Sequence, residues 1–278
     1  MSTPSKVILI TGASAGMGLE TACALAREGH IVYGVARRVE RMQALKSVGG
    51  RPMALDVTDE TQVRAVVEHI LQEVGRIDVL INNAGFGLYG AVEDIPLSEA
   101  RYQFEVNLFG VAALTKAVLP SMRAQKKGRI VNITSMGGKI YTPLGAWYHA
   151  SKHALEGFSD CLRLETEPFG IEVVIIEPGM IATEFGDVLT GPMLERSGNG
   201  PYAPMAHAVA QAVRASAKNN GSSPASVVVE AITTALRASR PKTRYVIGKL
   251  ARPLLFLRRW LSDRMFDKVV MSEVKRLA

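Results

Sequence analysis

Short apolar runs alternate with longer amphipathic segments through the first two thirds of the chain, and this alternation restricts the fold more than any other feature. Six runs rich in branched residues have the length and composition of buried parallel strands, over residues 6–11, 31–36, 51–55, 79–82, 130–134 and 172–177. Helical patterns cover residues 16–28, 40–47, 60–74, 98–124 and 147–165. The alternation predicts an α/β fold, a single Rossmann-type doubly wound parallel sheet with right-handed crossovers and helices on both faces.

The pattern changes after Pro178-Gly179. Residues 190–204 are rich in Gly, Pro and Ser, and residues 219–224 carry another loop signal. We interpret residues 190–220 as an insertion that acts as a lid over the substrate.

The rest of the chain completes one domain and adds an extension. A helix and a last strand are predicted over 226–237 and 244–247. We therefore predict a dinucleotide-binding catalytic domain over 1–248 and a basic, amphipathic, helical C-terminal extension over 249–278.

The composition fits a protein of a reducing compartment. The chain has 278 residues, of which 47% are hydrophobic and 21% charged, and this excludes a disordered chain and a disulfide-stapled miniprotein. Cys23 and Cys161 lie far apart in helix-like segments, so we expect two buried thiols, with no metal site and no disulfide framework. No signal peptide or membrane-spanning run is recognised. We therefore predict a cytoplasmic protein.

Positive charge is concentrated in the tail. The net charge is +7, but residues 237–278 hold twelve basic and three acidic side chains, so the rest of the chain is nearly neutral. Within 252–261 basic residues are mixed with Leu, Phe and Trp. This fits either a helix on an anionic membrane surface or a helix packed over the substrate entrance or another subunit. No reader motif accompanies the charge, so nucleic acid is not an expected partner.

The first strand runs into a glycine-rich turn, Thr11-Gly12-Ala13-Ser14-Ala15-Gly16-Met17-Gly18, which opens a helix. Glycines at such a turn let the backbone approach a pyrophosphate, whose charge the helix N-terminus stabilises. A tight turn that merely connects two elements is the alternative. The position after the first strand of an α/β pattern favours a nucleotide site.

Two arginines end the second strand, where dinucleotide folds place the residue that distinguishes the two nicotinamide cofactors. An acidic residue there binds the ribose diol, whereas a basic one favours a 2′-phosphate. The strand ends Ala36-Arg37-Arg38, and Ser14 in the turn is a second donor. NADP(H) is therefore favoured over NAD(H), although both arginines also fit a solvated helix start with Glu40 as partner.

Further motifs follow in order: Asp56 after the third strand, Asn82-Asn83-Ala84-Gly85 after the fourth, then Asn107, Ser135, Tyr148-His149-Ala150-Ser151-Lys152 and Pro178-Gly179. With the glycine-rich turn, they resemble the short-chain dehydrogenase/reductase family over about residues 6–185. Within that family the chain is similar to NADPH-preferring members that act on steroid, retinoid or lipid carbonyls.

The resemblance implies a set of cofactor contacts. Asp56 would bond the adenine, Asn83 to Gly85 would line the cofactor, and Thr183 would bind the nicotinamide carboxamide. As alternatives, Asp56 and Asn83 are ordinary turn residues and Thr183 a helix cap. The full expected set is Gly12, Ser14, Gly16, Met17, Gly18, Arg37, Arg38, Asp56, Val57, Asn83, Ala84, Gly85, Tyr148, Lys152, Pro178, Gly179 and Thr183.

Four residues are the expected catalytic group. Tyr148 would exchange the proton of the substrate oxygen, and Lys152, four positions on along a helix, would lower the tyrosine pKa together with the positive nicotinamide ring of the oxidised cofactor. Ser135, just past the fifth strand, would polarise that oxygen. Asn107 is unfavourable inside a helix, and the resemblance makes it the anchor of a water that connects Lys152 to solvent. Each has a structural alternative: a helix face, a cap or a local backbone bond.

The residues near these positions predict an apolar substrate. An apolar pocket is expected from Phe86, Leu88, Tyr89, Met136, Leu144, Trp147, Met180 and Phe185, although several also fit a core role. Only Lys139 adds a basic group there, which disfavours a highly anionic substrate. His149 points away from the tyrosine face and is expected to pack or to lie at an interface, and His153, which follows Lys152, is not expected to be catalytic.

We predict an NADP(H)-dependent oxidoreductase that interconverts an apolar ketone or aldehyde and its alcohol. The alternatives are an NADP(H)-binding sensor or scaffold without turnover and a lipid carbonyl reductase associated with a membrane surface. By resemblance we expect a homodimer or homotetramer.

Overall fold

Seven parallel strands form the central sheet. The computed structural model describes residues 4–183, 185–218 and 221–277. The strands are β1 (Val7–Thr11), β2 (Ile31–Ala36), β3 (Arg51–Ala54), β4 (Val79–Asn82), β5 (Gly128–Ile133), β6 (Ile171–Pro178), the short β7 (Ile181–Ala182) and β8 (Ser223–Pro224), and β9 (Arg244–Ile247). The sheet order is β3-β2-β1-β4-β5-β6-β9, while β7 pairs with β8 separately. The predicted doubly wound sheet is confirmed.

Helices cover both faces of the sheet. They are α1 (Gly16–Arg27), α2 (Gln43–Ser47), α3 (Glu60–Val74), α4 (Leu97–Phe104), α5 (Gly110–Ala124), α6 (Ala146–Thr166), α7 (Phe185–Ser197), α8 (Ala203–Lys218), α9 (Ser226–Arg237), α10 (Ala251–Trp260) and α11 (Asp263–Leu277). Alternate residues of β1 point to opposite faces, so Ile8 packs with α1 and α9 whereas Leu9 packs with α3 and α5. The five inner strands are buried on both sides, which explains their continuous apolar sequences, whereas the edge strands β3 and β9 are only partly buried.

The predicted helix over 98–124 is interrupted. Between α4 and α5 the chain forms a π-helical turn, Glu105–Phe109, that contains Asn107. The buried Asn107 side chain bonds to the Phe86 backbone and to Ser151, and a widened turn often accompanies such a functional position. The prediction of one uninterrupted helix was wrong, because the tertiary hydrogen bonds of Asn107 override the regular helical pattern.

The predicted insertion over 190–220 contains two helices. α7 and α8 occupy most of it, with a loop at 198–202 between them. Leu189 and Met193 of α7 pack against Ala206 and Ala210 of α8. The glycine, proline and serine content predicted loops here. The structure has helices instead, because apolar residues of the two helices pack against one another.

The tail folds back onto the body. Phe266 of α11 is fully buried, and its ring meets that of Tyr141 at 5.3 Å. The Tyr141 hydroxyl donates to Asp267 at 2.9 Å, and the Arg258 guanidinium lies over both rings. No helix within the described parts of the chain is long and apolar enough to cross a membrane.

One cysteine prediction is wrong. Cys23 is buried in α1, but Cys161 is exposed on α6. It lies in an apolar stretch of sequence, yet its position on the helix faces away from the sheet. Among the described residues no cluster suited to a metal ion occurs.

Candidate active site

The glycine-rich turn brings the end of β1 against the loop after β4. Gly12 and Gly16 have φ of +69° and +51°, which favour glycine. A Cβ on Gly18 would collide with the Gly12 carbonyl oxygen and the Asn83 amide nitrogen. The N-cap residue of α1, Ala15, makes no side-chain capping bond, so the first amides of α1 lack a capping side chain. This cradle fits a phosphate group.

Asn83 holds the cradle together through its side chain. Asn83 Nδ2 donates to Thr11 O at 2.9 Å, while the Thr11 hydroxyl accepts from the backbone amides of Asn83 and Ala84 at 3.0 and 2.9 Å. The sequence did not single out Thr11 as a partner. Its signal is a hydroxyl at the last position of an apolar strand.

Arg37 and Arg38 are both exposed after β2. Arg37 Nη1 donates to the Tyr102 hydroxyl on α4 at 2.8 Å, and the Tyr102 ring packs at 5.7 Å from Phe86. The Arg38 carbonyl accepts from Arg41 in the short helix that follows. Arg37 is therefore held on the edge of the sheet where the glycine-rich turn lies.

Asp56 and its neighbour lie after β3, on the same edge. Asp56 Oδ1 accepts from the Thr58 amide at 3.0 Å and from the Thr58 hydroxyl at 2.8 Å. Val57 packs against Gly110 at the start of α5. Asp56 thus forms a local turn, which was the structural alternative, and it stays near the expected adenine position.

Ser135 caps a short helical turn and also lies next to Tyr148. Its hydroxyl accepts from the Gly137 amide at 3.0 Å and so caps a short 3-10 turn, Met136–Gly138. The same hydroxyl hydrogen-bonds to Tyr148 and lies 3.5 Å from the Pro178 carbonyl oxygen. The capping alternative and the proximity to Tyr148 are therefore both present.

Lys152 reaches back toward the sheet from α6. Its side chain is buried, and Nζ donates to Ile133 O at 2.9 Å. Gly85 lies between Lys152 Nζ and Asn107 Oδ1, at 3.7 and 3.1 Å from the position that a Cβ would take. Burial lowers the pKa of Lys152 to about 8, while the charge of Glu156 opposes this shift.

Tyr148 is buried, and burial raises the pKa of its hydroxyl above the ordinary value. The bond with Ser135 opposes this rise. The expected lowering of the Tyr148 pKa involves the positive nicotinamide ring of oxidised cofactor as well as Lys152; among the protein's own groups, loss of water outweighs the bond with Ser135. At neutral pH the Tyr148 hydroxyl is therefore protonated.

His149 is one of the residues that the sequence undervalued. Thr142 N donates to His149 Nε2 at 3.1 Å, so Nδ1 carries the hydrogen and donates to Gly137 O at 2.9 Å. Burial lowers its pKa, which keeps the ring neutral. His149 thereby fastens the loop between Ser135 and Tyr148 to α6.

Gly137 and Gly138 were also missed. A Cβ on Gly137 would lie 3.1 Å from Tyr148 Cε1, and one on Gly138 would lie 3.0 Å from Lys152 O. Both positions need glycine to let Ser135 approach α6. Their signal in the sequence is the Gly-Gly pair directly after Ser135-Met136.

Comparison with known proteins agrees with this geometry. The family described as short chain dehydrogenase matches residues 6–191. The uncharacterized oxidoreductase YbbO of Escherichia coli strain K12 is 34% identical over 268 residues, which span 96% of this chain and 94% of that protein. The chain belongs to the short-chain dehydrogenase family. The resemblance carried by the motifs is confirmed, and the dehydrogenase is an oxidoreductase.

Three further proteins are similar to the dehydrogenase. A 3-ketodihydrosphingosine reductase of Bacteroides thetaiotaomicron is 46% identical over 183 residues, which span 66% of each chain. A solved short-chain dehydrogenase from Streptomyces avermitilis gives a TM-score of 0.78 at 34% identity and covers 99% of this chain and 98% of its own. The closed form of a serine dehydrogenase complexed with NADP+ gives 0.75 at 27% identity, over 88% and 95%. These likenesses confirm the fold.

The tail of the dehydrogenase begins beside the turn after β6. The Gly179 amide donates to Ile247 O at 2.8 Å, and the Met180 amide to Lys249 O at 2.9 Å. A Cβ on Gly179 would collide with the Lys249 carbonyl oxygen. Thr183 lies beside Gly16 of the glycine-rich turn, so the structure brings it to the expected cofactor side.

The residues predicted to line an apolar pocket separate into two packed groups. Phe86, Leu88 and Trp147 form one, and Tyr89 and Leu144 pack with α7 and α8 in the other. The side chain of Phe185 lies outside the described residues. The core role therefore accounts for part of the predicted set.

A cavity of about 380 Å³ lies between α4, the loop after β4 and α7. Phe86, Leu88, Leu189 and Pro192 supply much of its apolar lining. Arg196 of α7 also lines it, in an ion pair with Glu99. Arg196 lies outside the stretches of sequence in which Lys139 was the expected basic group, so those stretches did not predict the basic side chain of this cavity.

Proposed function

We propose that the dehydrogenase interconverts an apolar ketone or aldehyde and its alcohol with NADP(H), and that Tyr148 is the general acid and base. The observation that carries this proposal is the buried arrangement of Ser135, Tyr148 and Lys152 beside the glycine-rich turn. All three lie at the carboxyl edge of the sheet, where open α/β folds hold their ligands.

The residues at this edge fit NADP(H). The amides at the start of α1 and the close approach at Gly18 suit the pyrophosphate, and Arg37 offers a planar fork to a 2′-phosphate. The NADP+ complex of the related serine dehydrogenase supports the same cofactor. When bound, the cofactor supplies or accepts the hydride.

The protein's own groups handle the proton and the substrate oxygen. The raised pKa of Tyr148 keeps its hydroxyl protonated at neutral pH, ready to donate to the alkoxide that forms during reduction. Ser135 holds the Tyr148 hydroxyl and can polarise the carbonyl. Lys152, fixed on Ile133 O, places a positive charge near the site.

The substrate class rests on the apolar surroundings of Tyr148. Tyr89 packs against Tyr148 with ring centres 5.7 Å apart, and the helices α7 and α8 cover this side as a lid. The relative that acts as a 3-ketodihydrosphingosine reductase supports a lipid ketone. We favour steroid, retinoid or other lipid carbonyls over small polar ones.

The test is carbonyl reduction by Tyr148→Phe with NADPH, alongside NADPH fluorescence titration. We expect turnover to fall by ~10³-fold or more with little change in NADPH affinity, because only the proton donor is removed. Phe158→Tyr, elsewhere on α6, is the control for a phenyl-to-phenol change. Wild-type turnover in Tyr148→Phe would refute the mechanism, and NADPH binding with no turnover by the wild type would favour a sensor.

The tail supports contact with a membrane surface. Phe256 and Trp260 are 64% and 70% exposed on α10, with ring centres 6.4 Å apart, and Arg259 lies beside the Trp260 ring. Exposed aromatic and basic side chains suit an anionic lipid interface. This favours a lipid carbonyl reductase that docks on its substrate's membrane.

Flotation with vesicles rich in anionic lipid tests that contact. We expect the wild type to float and Phe256→Ser/Trp260→Ser to remain in solution, since both residues face solvent and add little to folding. Leu97→Ser, an exposed apolar position on the body at the start of α4, is the control. Equal flotation of all three proteins would exclude the tail as the docking element.

A homo-oligomer is supported by a separate apolar surface. Phe109, Leu164 and Phe169 are exposed near α5 and α6. Light scattering should give a dimer or tetramer for the wild type and a smaller species for Leu164→Glu. A monomeric wild type would contradict this proposal.

A further inference from the structure

Two glutamates are buried where α6 packs on β6, and one of them, Glu156, lies one helical turn after Lys152. Glu156 of α6 and Glu177 of β6 have side chains that are 3% and 2% exposed. Their carboxyl groups lie within hydrogen-bonding reach of one another. We call Glu156 and Glu177 the carboxyl pair. Carboxylates are rarely buried unless they are paired with cations or carry a proton.

Cationic side chains donate hydrogen bonds to one oxygen of the carboxyl pair, Glu156 Oε2. Glu156 Oε2 accepts from Lys139 Nζ and Arg244 Nη2, each at 3.1 Å. Arg244 Nε lies 3.2 Å from Glu177 Oε1, but without hydrogen-bond geometry. Among the described residues neither Glu156 Oε1 nor Glu177 Oε1 has a hydrogen-bond donor. A single proton held between the two carboxyls would satisfy both oxygens.

The charged surroundings place this proton near neutral pH. Lys139 approaches from the turn after Ser135, Lys152 and Asp160 from α6, and Arg244 from β9. Burial and the neighbouring Glu156 raise the pKa of Glu177 to about 7, against the opposing charges of Arg244 and Lys139. The contacts show the same two causes of this shift, because both carboxyl groups are buried and each lies next to the other.

We propose that Glu156 and Glu177 share a proton at neutral pH and that the charge of this pair sets the protonation of Lys152. Glu156 lies at the fourth position after Lys152 and therefore on the same face of α6. More negative charge on the pair favours the ammonium form of Lys152, and a lost carboxylate favours the neutral amine. Both glutamates are positioning residues, and their effect on turnover rests on the function proposed above.

The kinetic test compares Glu156→Gln with the wild type in a pH profile of carbonyl reduction. In the wild type the rate should fall in alkali as Lys152, with a pKa of about 8, loses its proton. Glu156→Gln removes the charge that supports the ammonium form, so this limb should move to lower pH by about half to one unit, a ~2- to 5-fold loss of rate at the midpoint of the wild-type limb. A profile that superimposes on that of the wild type would overturn the coupling.

Two control variants separate this effect from general damage. Glu165→Gln changes an exposed carboxyl on the same helix and should leave the profile unchanged. Asp160→Asn removes another carboxylate from Arg244 but leaves the carboxyl pair intact, and it too should keep the alkaline limb in place. A limb displaced equally in Asp160→Asn and Glu156→Gln would assign the shift to the Arg244 network and refute the proposal.

An infrared titration of the protein without substrate tests the shared proton independently of turnover. The wild type should show a protonated-carboxyl band at about pH 6 that disappears by about pH 9, and Glu177→Gln should lack it. Absence of the band in the wild type would overturn the proposal. This measurement decides the shared proton even when a variant folds poorly or no carbonyl is turned over, so its failure is distinct from failure of the proposed function.

Discussion

The cofactor side and the substrate side of the site are built by different means. On the cofactor side, backbone groups meet at short distances: Gly18 packs on the Gly12 carbonyl, and Thr11 accepts from two amides of the loop after β4. On the substrate side, apolar side chains of α7, α8 and α11 cover the loop between Ser135 and Tyr148. On the cofactor side no atom can be added at Gly18 without a collision. The substrate side depends instead on the apolar area that its helices bury.

This difference predicts that variants on the two sides change different properties. Changes on the cofactor side should act on cofactor binding and turnover, with little effect on how α7 and α8 pack. Changes in the covering helices should act first on stability and on access of the substrate. Four sets of variants can break or sharpen that separation.

Lys152→Met should give the largest effect, and in opposite directions on two measurements. Turnover should fall by about 10²–10⁴-fold with loss of the charge beside Tyr148. Since the pKa of Lys152 is lowered from 10.5 to about 8, its burial cost is present below about pH 8 and absent above the unfolded value. Denaturation at neutral pH should therefore show the Lys152→Met variant to be more stable than the wild type, by ~1–3 kcal/mol, with the gain lost in strong alkali. A variant less stable at every pH would contradict the cost assigned to the buried ammonium.

Gly18→Ala should come next, with cofactor affinity as the measured quantity. The added methyl group would push Gly12 and Asn83 apart, so NADPH affinity should fall by ~100-fold or more. Gly157→Ala on α6 is the matched control, since a Cβ there meets no atom within 4 Å. That control should bind NADPH normally and gain up to about 1 kcal/mol of stability. Equal affinities for both variants would remove the steric argument for the cradle.

Phe266→Ala tests the other side of the comparison. Removing this fully buried ring should lower the free energy of unfolding by about 3 kcal/mol, while NADPH affinity stays unchanged. Phe256→Ala, exposed on α10, should change stability by less than about 0.5 kcal/mol. A large loss of NADPH affinity in Phe266→Ala would show that the two sides are not separable.

Arg37→Ala should have the smallest effect and a selective one. The KM for NADPH should rise ~10-fold while that for NADH stays nearly constant, because only the 2′-phosphate loses its partner. Tyr102→Phe, which removes the hydroxyl that holds Arg37 at 2.8 Å, should change the NADPH value ~2- to 3-fold in the same direction. Equal changes with both cofactors would transfer the selectivity to another residue.

The inner strands and the first helices follow from the sequence because both faces of β1, β2, β4, β5 and β6 are buried and their apolar runs are almost uninterrupted. Tyr148 and Lys152 lie on one face of α6 as their spacing predicted. Contacts between distant segments could not be predicted from the sequence. The hydrogen bond of Arg37 with Tyr102 and the turn at Asn107 both depend on where α4 lies in the fold.

The helical structure of the 190–220 insertion and the electrostatics were the weakest predictions, for a common physical reason. Helices α7 and α8 form because each offers an apolar face to the other, which composition alone does not reveal. The direction of the Tyr148 pKa depends on how much water the fold removes, which no spacing of residues states. The carboxyl pair joins two residues that lie 21 positions apart on α6 and β6.

The contact between Gly179 and the segment Gly248–Ala251 has a consequence for synthesis of the chain. Ribosomes release the N-terminal residues first, so β9 and the carbonyl that covers Gly179 emerge after the other six strands of the sheet. Until they do, β6 is an unpaired sheet edge and the turn beside Ser135 lacks its backbone partners. A nascent chain stalled before residue 247 therefore already contains Ser135, Tyr148 and Lys152, but the surroundings of these residues are completed only when β9 and the segment that follows it have emerged.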